Sequence, residues 1–352
     1  MKHHKITKVE KLPESQVLIV GSIDDTFIRE HRERAIKRFQ ENTEMPGFRK
    51  GKVPENLIIE RMGEMTVLGD AAEEALNEEY SKIIEAEKLF VLGKPEIKIT
   101  KLAPGNPLEF TITVAVLPEF KLPDYESIAR KEMALEDDDS VTNKEVEDVI
   151  EDIRKNFAHA EFHKKGLTHD HAAPEFKPED LPEVTDDFVK KIGDFKDVTD
   201  FKSKIKENLK KEKQVRNREK KRMSVLEKTM EKTEIVVPKV LLENELEKML
   251  AQFKDDLARA GAIYEDYLKY IKKTEEQIKT EWKETALKKA KAQLIINKIS
   301  EDKKISPDAD KVRTETEKIM ILHPDADPLR ARMYVGQMLL NEAVLEFLES
   351  QK

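Results

Sequence analysis

Residues 45–54 read MPGFRKGKVP, and the fold of the first third of the chain turns on them. The stretch carries three cations, Arg49, Lys50 and Lys52, and no acid, in a chain of formal net charge −8. Gly47 and Gly51 permit backbone angles that other residues avoid, while Pro46 and Pro54 stiffen the ends. A helix or a central strand would tolerate this composition poorly. The stretch therefore reads as a shaped loop that presents Phe48 and its cations outward. A basic tip on an acidic protein suits docking onto something negative, such as nucleic acid or a ribonucleoprotein.

Outward from the loop, the flanks read as helices. Asp24 is an N-cap for a helix through Gln40 with Phe27, Ile28, Ala35, Ile36 and Phe39 on one side. Residues 55–89 give a short and a longer helix, punctuated near Gly63. Before them, residues 15–20 (SQVLIV) read as a strand. After them, Ile97 and Ile99 alternate with polar neighbours, as do Leu108, Phe110, Ile112, Val114 and Val116. Strand, helices, strands within about 115 residues make an α+β domain with the basic loop between its helices.

Pro118 and Pro123 close that unit. Thr142 and Glu145 form a capping box before a helix carrying Val146, Val149, Ile150, Ile153 and Phe157. Residues 158–181 lose periodicity, with four histidines, Gly166, Pro174 and Pro178, and read as a loop. From Pro182 onward the chain is nearly all helix. A very charged helix covers 199–232. Pro238 suits the first turn of the next, with the stripe Leu242, Leu246, Met249, Phe253 and Leu257. Trp282, Ala286, Ala290 and Leu294 mark another. Pro307, Pro324 and Pro328 divide the remainder, and the last helix carries Tyr334, Met338, Leu345 and Leu348. The expected fold is an α+β N-terminal domain plus an elongated all-α body, mostly α overall. Its parts are residues 1–117, a linker with a long helix at 118–157, the short loop 158–181 and a helical domain at 182–352.

Composition narrows the function. Charged residues are 39% of the chain and glycine is scarce, which fits much exposed helix surface. With no cysteine, disulfides, thiol catalysis and thiolate metal sites are excluded. The N-terminus MKHHKITKVEKL lacks the apolar run of a signal peptide, and no stretch approaches the roughly 18 apolar residues that span a bilayer. A cytoplasmic protein without membrane partners is expected. No Gly-x-x-x-x-Gly-Lys-Ser/Thr loop is present for a nucleotide.

The run Gly47-Phe48-Arg49-Lys50-Gly51-Lys52-Val53-Pro54 resembles the ribosome-docking signature of the trigger factor family, the bacterial ribosome-associated chaperones. Residues 1–117 are similar to that family's ribosome-binding domain. LPEVTDDFVKKIGDF (181–195) resembles the entry into its C-terminal helical domain, which 235–305 continue, including KTEEQIKTEWKETALKKAKAQLI (273–295). There is one departure. The family usually inserts a peptidyl-prolyl isomerase domain of FKBP type, whereas only 23 residues separate Phe157 from Leu181. A folded domain needs at least about 50. The isomerase label is therefore not carried over, and no enzyme, cofactor or metal is expected.

The resemblance implies docking through Gly47, Phe48, Arg49, Lys50, Gly51, Lys52 and Pro54 on the ribosomal protein at the exit-tunnel rim and on nearby ribosomal RNA. Phe48 would be an apolar wedge, and Arg49 and Lys50 the attraction. Nascent and unfolded chains would be held without ATP in a helical cradle. Methionine suits such a surface, being flexible and polarizable. Met320, Ile321, Leu322, Met333, Tyr334 and Met338 cluster near the C-terminus, with Met223, Met230 and Met249 on preceding helices. Whether the free chain forms a homodimer through such a surface is left open.

Plainer alternatives stand beside these readings. A single methionine is more often core than client surface. His159 and His163 would share a helical face and His169 and His171 follow, a set that could hold zinc or nickel. The segment has nothing rigid to hold ligands, and a polar linker is the better reading. His3 and His4 are assigned to a flexible N-terminus without function. The run RNREKKR (216–222) reads as a solvated helix face rather than a nucleic-acid site. A residual prolyl isomerase and a free-standing holdase are the competing functions.

Overall fold

Alternation of apolar and polar residues builds the sheet. Strand β2 (Gln16–Ile23) buries Val17, Ile19 and Ile23, and β4 (Leu108–Val116) buries Leu108, Phe110, Ile112 and Val114. They pair antiparallel with Val17 opposite Val114, Ile19 opposite Ile112 and Ile23 opposite Leu108, so one face is wholly apolar. With β1 (His4–Leu12) and β3 (Val91–Lys101) the order is β1-β2-β4-β3, antiparallel throughout. Helices α1 (Asp25–Asn42), α2 (Glu55–Met62) and α3 (Glu64–Ala86) follow β2. Phe27 and Ile28 of α1 and Leu68, Ala72, Ala75, Leu76 and Ile83 of α3 close the apolar face into one core.

The computed structural model describes residues 2–164 and 181–351. Two units are resolved within the chain: unit 1, Met1–Lys121 with Thr233–Lys298, and unit 2, Leu122–Lys232 with Ile299–Lys352. In unit 1 the sheet is joined by α8 (Lys239–Arg259), α9 (Tyr264–Ile271) and α10 (Glu275–Lys303) as far as Lys298. Phe253 meets Tyr264, Tyr267 and Trp282 edge-on, with centroids 6.4, 5.3 and 5.4 Å away. Ser15 Oγ donates to the Val236 carbonyl at 3.1 Å.

The N-terminus corrects the sequence reading. His3 and His4 do not belong to a free tail. His4 opens β1 and is buried, and its Nδ1 lies against the fully buried Glu79 of α3. His3 stacks on Phe27 at 4.2 Å. Burial pushes the Glu79 carboxyl up, but hydrogen bonds from Lys82, His4 and the His3 amide outweigh it and hold the group below its usual value. The strand escaped notice because it is a lysine-rich edge whose register shifts between Ile6 and Lys8, which breaks the alternation.

Unit 2 contains α4 (Tyr125–Met133), α5 (Asn143–Lys164), α6 (Asp186–Ile192), α7 (Val198–Glu231), α11 (Ala309–Leu322) and α12 (Pro328–Glu349). The capping box forms as read: the Thr142 amide donates to Glu145 at 2.9 Å and the Glu145 amide to Thr142 Oγ1 at 3.3 Å. Val146, Ile150, Phe188, Val189, Phe201 and Ile205 make the core of α5, α6 and α7. Helix α5 does not stop at Phe157. It runs on through residues 158–164, whose helix-forming sequence meets no glycine or proline before Gly166. The rest of the loop assigned to 158–181, with His169 and His171, lies outside the described residues apart from Leu181.

The run RNREKKR also departs from its reading as a solvated face. Arg222 is buried, and its guanidinium binds Glu342 and Glu349 of α12, while Lys221 donates to Asp137 at 2.7 Å and to the Leu135 carbonyl at 2.5 Å. Arg218, with Arg222, holds the Glu349 carboxyl down at about 2 against the opposing pull of burial. The ordinary glutamate value is about 4.3. A depressed folded-state value means that the contribution to stability is present above about pH 4.3 and is lost as pH falls through about 2. Urea unfolding of the chain beside Glu349→Gln should show a gap in stability that closes across that window. A gap of constant size down to pH 2 would contradict the ionic clip.

Candidate docking loop and client surface

The loop 45–54 is clamped at its base and open at its tip. It leaves α1 and returns into α2. Gln40, in the last turn of α1, accepts the Gly51 amide on its carbonyl at 3.1 Å and donates its side-chain Nε2 to the Val53 carbonyl at 2.7 Å. Arg61 of α2 donates to the Glu44 carbonyl at 3.0 Å. Val53 is buried like a peg. Two tight turns shape the tip, with the Phe48 amide donating to Met45 at 3.1 Å and the Lys52 amide to Arg49 at 2.9 Å. Gln40, Arg61 and Val53 position the loop, and sequence reasoning missed the first two because nothing in their spacing marks them.

Gly47 and Gly51 have φ of +88° and +80°, and a Cβ at either would meet nothing within 4 Å. The requirement for glycine is therefore conformational and not steric. Left-handed backbone costs other residues about 1–2 kcal/mol. The double variant Gly47→Ala/Gly51→Ala should reshape the tip and weaken ribosome binding by about tenfold or more, with the melting temperature changed little. Unaltered binding in a co-sedimentation titration would show that tip shape is irrelevant.

The loop cations differ from two arginines of the preceding helix. Arg32 is forked onto Glu64 at 2.8 and 3.0 Å and also reaches Glu55, and Arg38 binds Asp70 and Glu74. Glu64 holds the Arg32 guanidinium above its usual value. Arg49, Lys50 and Lys52, in contrast, are exposed, and none has an ionic partner among the described residues. Phe48, at 42% exposure, stands out among them. Gly47 and Pro54 are exposed and Gly51 is half-buried. The structure brings the seven residues expected to dock onto one loop, with Phe48 and the three cations exposed.

The second candidate surface lies on the hairpin of α11 and α12. Asp308 caps α11 through the amides of Asp310 and Lys311, and Asp327 caps α12 through that of Arg330, with Pro328 in the first turn. On this capped hairpin Ile321 (77%), Leu322 (75%), Met333 (66%), Tyr334 (64%) and Met338 (44%) are exposed. Met320 is half-buried. Leu329, missed in the sequence because it stands apart from the methionine cluster, is exposed with them. Met223 is exposed on α7, whereas Met230 and Met249 are half-buried. Exposed apolar side chains gathered in this way make the hairpin a candidate interaction surface.

Other chemistry finds little support. A cleft of about 710 Å³ in unit 2 is lined by Arg130, Asp137, Gln214, Arg218 and Lys221 among others. Two of its cations are already paired, Lys221 with Asp137 and Arg218 with Glu349, both at 2.7 Å. His159 and His163 fall on α5, and among the described residues no group of three or more His, Cys, Asp or Glu is arranged to hold a metal. Among those residues, too, no helix is long and apolar enough to cross a membrane.

An exposed cationic loop on an α+β domain, together with exposed apolar side chains on a helical hairpin, is the arrangement of a protein that binds other macromolecules. A family model for bacterial trigger factor protein matches residues 5–153, and one for the C-terminus of the same protein matches 197–347. Trigger factor of Trichodesmium erythraeum is 23% identical over 98% of this chain and 88% of its own length. That of Caldicellulosiruptor saccharolyticus is 23% identical over 98% and 96%, and that of Cutibacterium acnes 28% over 85% and 69%. A solved structure from work on promiscuous substrate recognition by the trigger factor chaperone matches with a TM-score of 0.52 and 20% identity, over 98% of this chain and 100% of that one, and supports the fold. The chain belongs to the trigger factor family, and with it to the ribosome-associated chaperones. Between the two matched segments lie only residues 154–196, fewer than an inserted isomerase domain requires.

Proposed function

We propose that this chain is an ATP-independent chaperone that docks at the ribosomal exit tunnel through residues 45–54 and holds nascent or unfolded polypeptides on the apolar surface of α11 and α12. The observation that carries the reading is the contrast in charge use: Arg32 and Arg38 are tied to acids while Arg49, Lys50 and Lys52 are left for a partner. Residues 1–117 serve docking, and 118–157 with 182–352 serve holding. The anionic surface engaged is the rim protein of the tunnel together with adjacent ribosomal RNA, in the cytoplasm. The free protein would cover its apolar surface by forming a homodimer.

Holding needs no chemistry. Contacts that are individually weak and spread over several flexible side chains release a client once its own folding buries the same apolar groups. The chain is not a prolyl isomerase on this reading, because residues 154–196 leave no room for an aromatic-lined proline pocket. Acceleration of a proline-limited refolding reaction by the purified chain would overturn that statement.

Co-sedimentation with bacterial ribosomes, at low and then moderate salt, tests the docking. Binding should be clear at low salt and weaken as salt rises, since charge attraction is screened and counterions compete. Suppression of aggregation without nucleotide tests the holding. Suppression without ribosome binding at low salt would leave a free-standing holdase.

A further inference from the structure

Taking a guanidinium out of water is costly, yet Arg222 of α7 is only 5% exposed. Its N–H groups are fully engaged. Nε donates to Glu349 Oε1 at 2.6 Å; Nη1 donates to Glu342 Oε2 at 3.0 Å and, more loosely, to Glu219 at 3.5 Å. Nη2 donates to Glu342 Oε1 at 2.8 Å and to Glu349 Oε2 at 3.2 Å. Arg218, one turn earlier, adds a second fork to Glu349 at 2.7 and 2.8 Å.

Glu342 and Glu349 are two turns apart on α12, about 10.5 Å along its axis. Two carboxylates so spaced can meet one guanidinium in one rotation and one axial register only. Glu346, the other acid in this half of the helix, is exposed. A one-turn slip would bring a single carboxylate opposite Arg222 in place of two.

Apolar burial alone does not select that register. Helix α12 is apolar around much of its circumference, with Val335, Val344 and Leu348 buried and Leu329, Met333, Tyr334 and Met338 exposed. A helix apolar on several faces can turn any of them inward. A buried ion pair is a poor stabiliser compared with apolar residues of its own size, and its best-attested use is the specification of register.

We propose that Arg222 is a positioning residue for client binding: its clip onto Glu342 and Glu349 holds α12 in the register that keeps Met333, Tyr334 and Met338 turned to solvent. The inference rests on the reading of that surface as the client site. Without the clip, α12 samples registers in which those side chains pack inward, and the holding surface shrinks while the unit stays folded.

The test uses the full chain, whose lack of cysteine allows clean spin-labelling at Lys220→Cys on α7 and Arg332→Cys on α12, both exposed positions. Two variants are compared with the parent. Arg222→Met/Glu342→Gln/Glu349→Gln removes the clip without leaving a buried charge unpaired. Arg222→Lys keeps the charge but loses the planar fork. The probe is reduced, carboxymethylated α-lactalbumin, a permanently unfolded polypeptide.

Both variants should melt within a few degrees of the parent. Both should broaden the distance distribution from one peak, and both should bind the probe about tenfold more weakly. A merely structural charge would be rescued by lysine, with distance and affinity restored. Rescue by lysine, or a single unchanged distance with unchanged affinity in the triple variant, overturns the inference. The variant Met333→Ser/Tyr334→Ser/Met338→Ser separates the two ideas. If it loses the probe while the clip variants keep it, the clip alone is refuted; if it keeps the probe, the client site itself is refuted.

Discussion

Replacing Phe48, Arg49 and Lys50 together by alanine is expected to abolish ribosome binding, with a loss of at least about a hundredfold at low salt and little change in melting temperature. The size follows from how the loop is built. An aromatic side chain centred in an interface and desolvated there is commonly worth about 2 kcal/mol or more. A charge-assisted hydrogen bond to phosphate or carboxylate contributes about 1.5–3 kcal/mol. The cost of association is common to parent and variant and cancels between them, so three such groups, about 5 kcal/mol together, exceed the roughly 2.8 kcal/mol that a hundredfold represents. The fold should not suffer, because all three side chains are exposed and the clamp through Gln40, Arg61 and Val53 is untouched. Co-sedimentation of the triple variant beside the parent decides it. Equal binding at low salt would reduce the loop to a solvated turn.

That loop was legible because its chemistry is local. Gly47 and Gly51 at positive φ, the two flanking prolines and three cations without acids act within ten residues, so their meaning survives without the fold. The same holds for Thr142 with Glu145, for the alternation in β4, and for the break at Gly63 between α2 and α3. What escaped notice depends on partners far along the chain. His4 is a buried residue only because Glu79 of α3 waits for it, and β1 looks like a polar tail because an edge strand is built to look so. Arg222 sits in a run of charges that local reasoning assigns to solvent, and its burial is decided by Glu342 and Glu349, more than a hundred residues away. Helices α4 and α9, nine and eight residues long, were not read because each carries too few turns to establish a period, whereas the equally short α2 was marked by the break at Gly63. The end of α5 moved for the opposite reason. Its apolar stripe fades after Phe157, but the backbone needs only helix-forming residues to continue.

The client surface carries the other large expected effect. Substituting Ile321, Leu322, Met333, Tyr334 and Met338 by serine should weaken binding of an unfolded polypeptide by about a hundredfold and leave ribosome docking as it was. An apolar side chain fully covered by a partner gains about 1.5–3 kcal/mol. A mobile client covers each one only in part and must itself be ordered, which leaves about 0.5–1 kcal/mol apiece. Five such contacts amount to about 3 kcal/mol, near a hundredfold. The unit should stay folded with a modest loss of stability, since these side chains are largely exposed in the free chain while serine is a somewhat poorer helix former. Single substitutions discriminate further. Flexible side chains that share the load should each account for a two- to fivefold loss, as weak contacts released by a folding client require. A single residue carrying the whole effect would point to a shaped pocket for one sequence, and would refute a surface built to hold many.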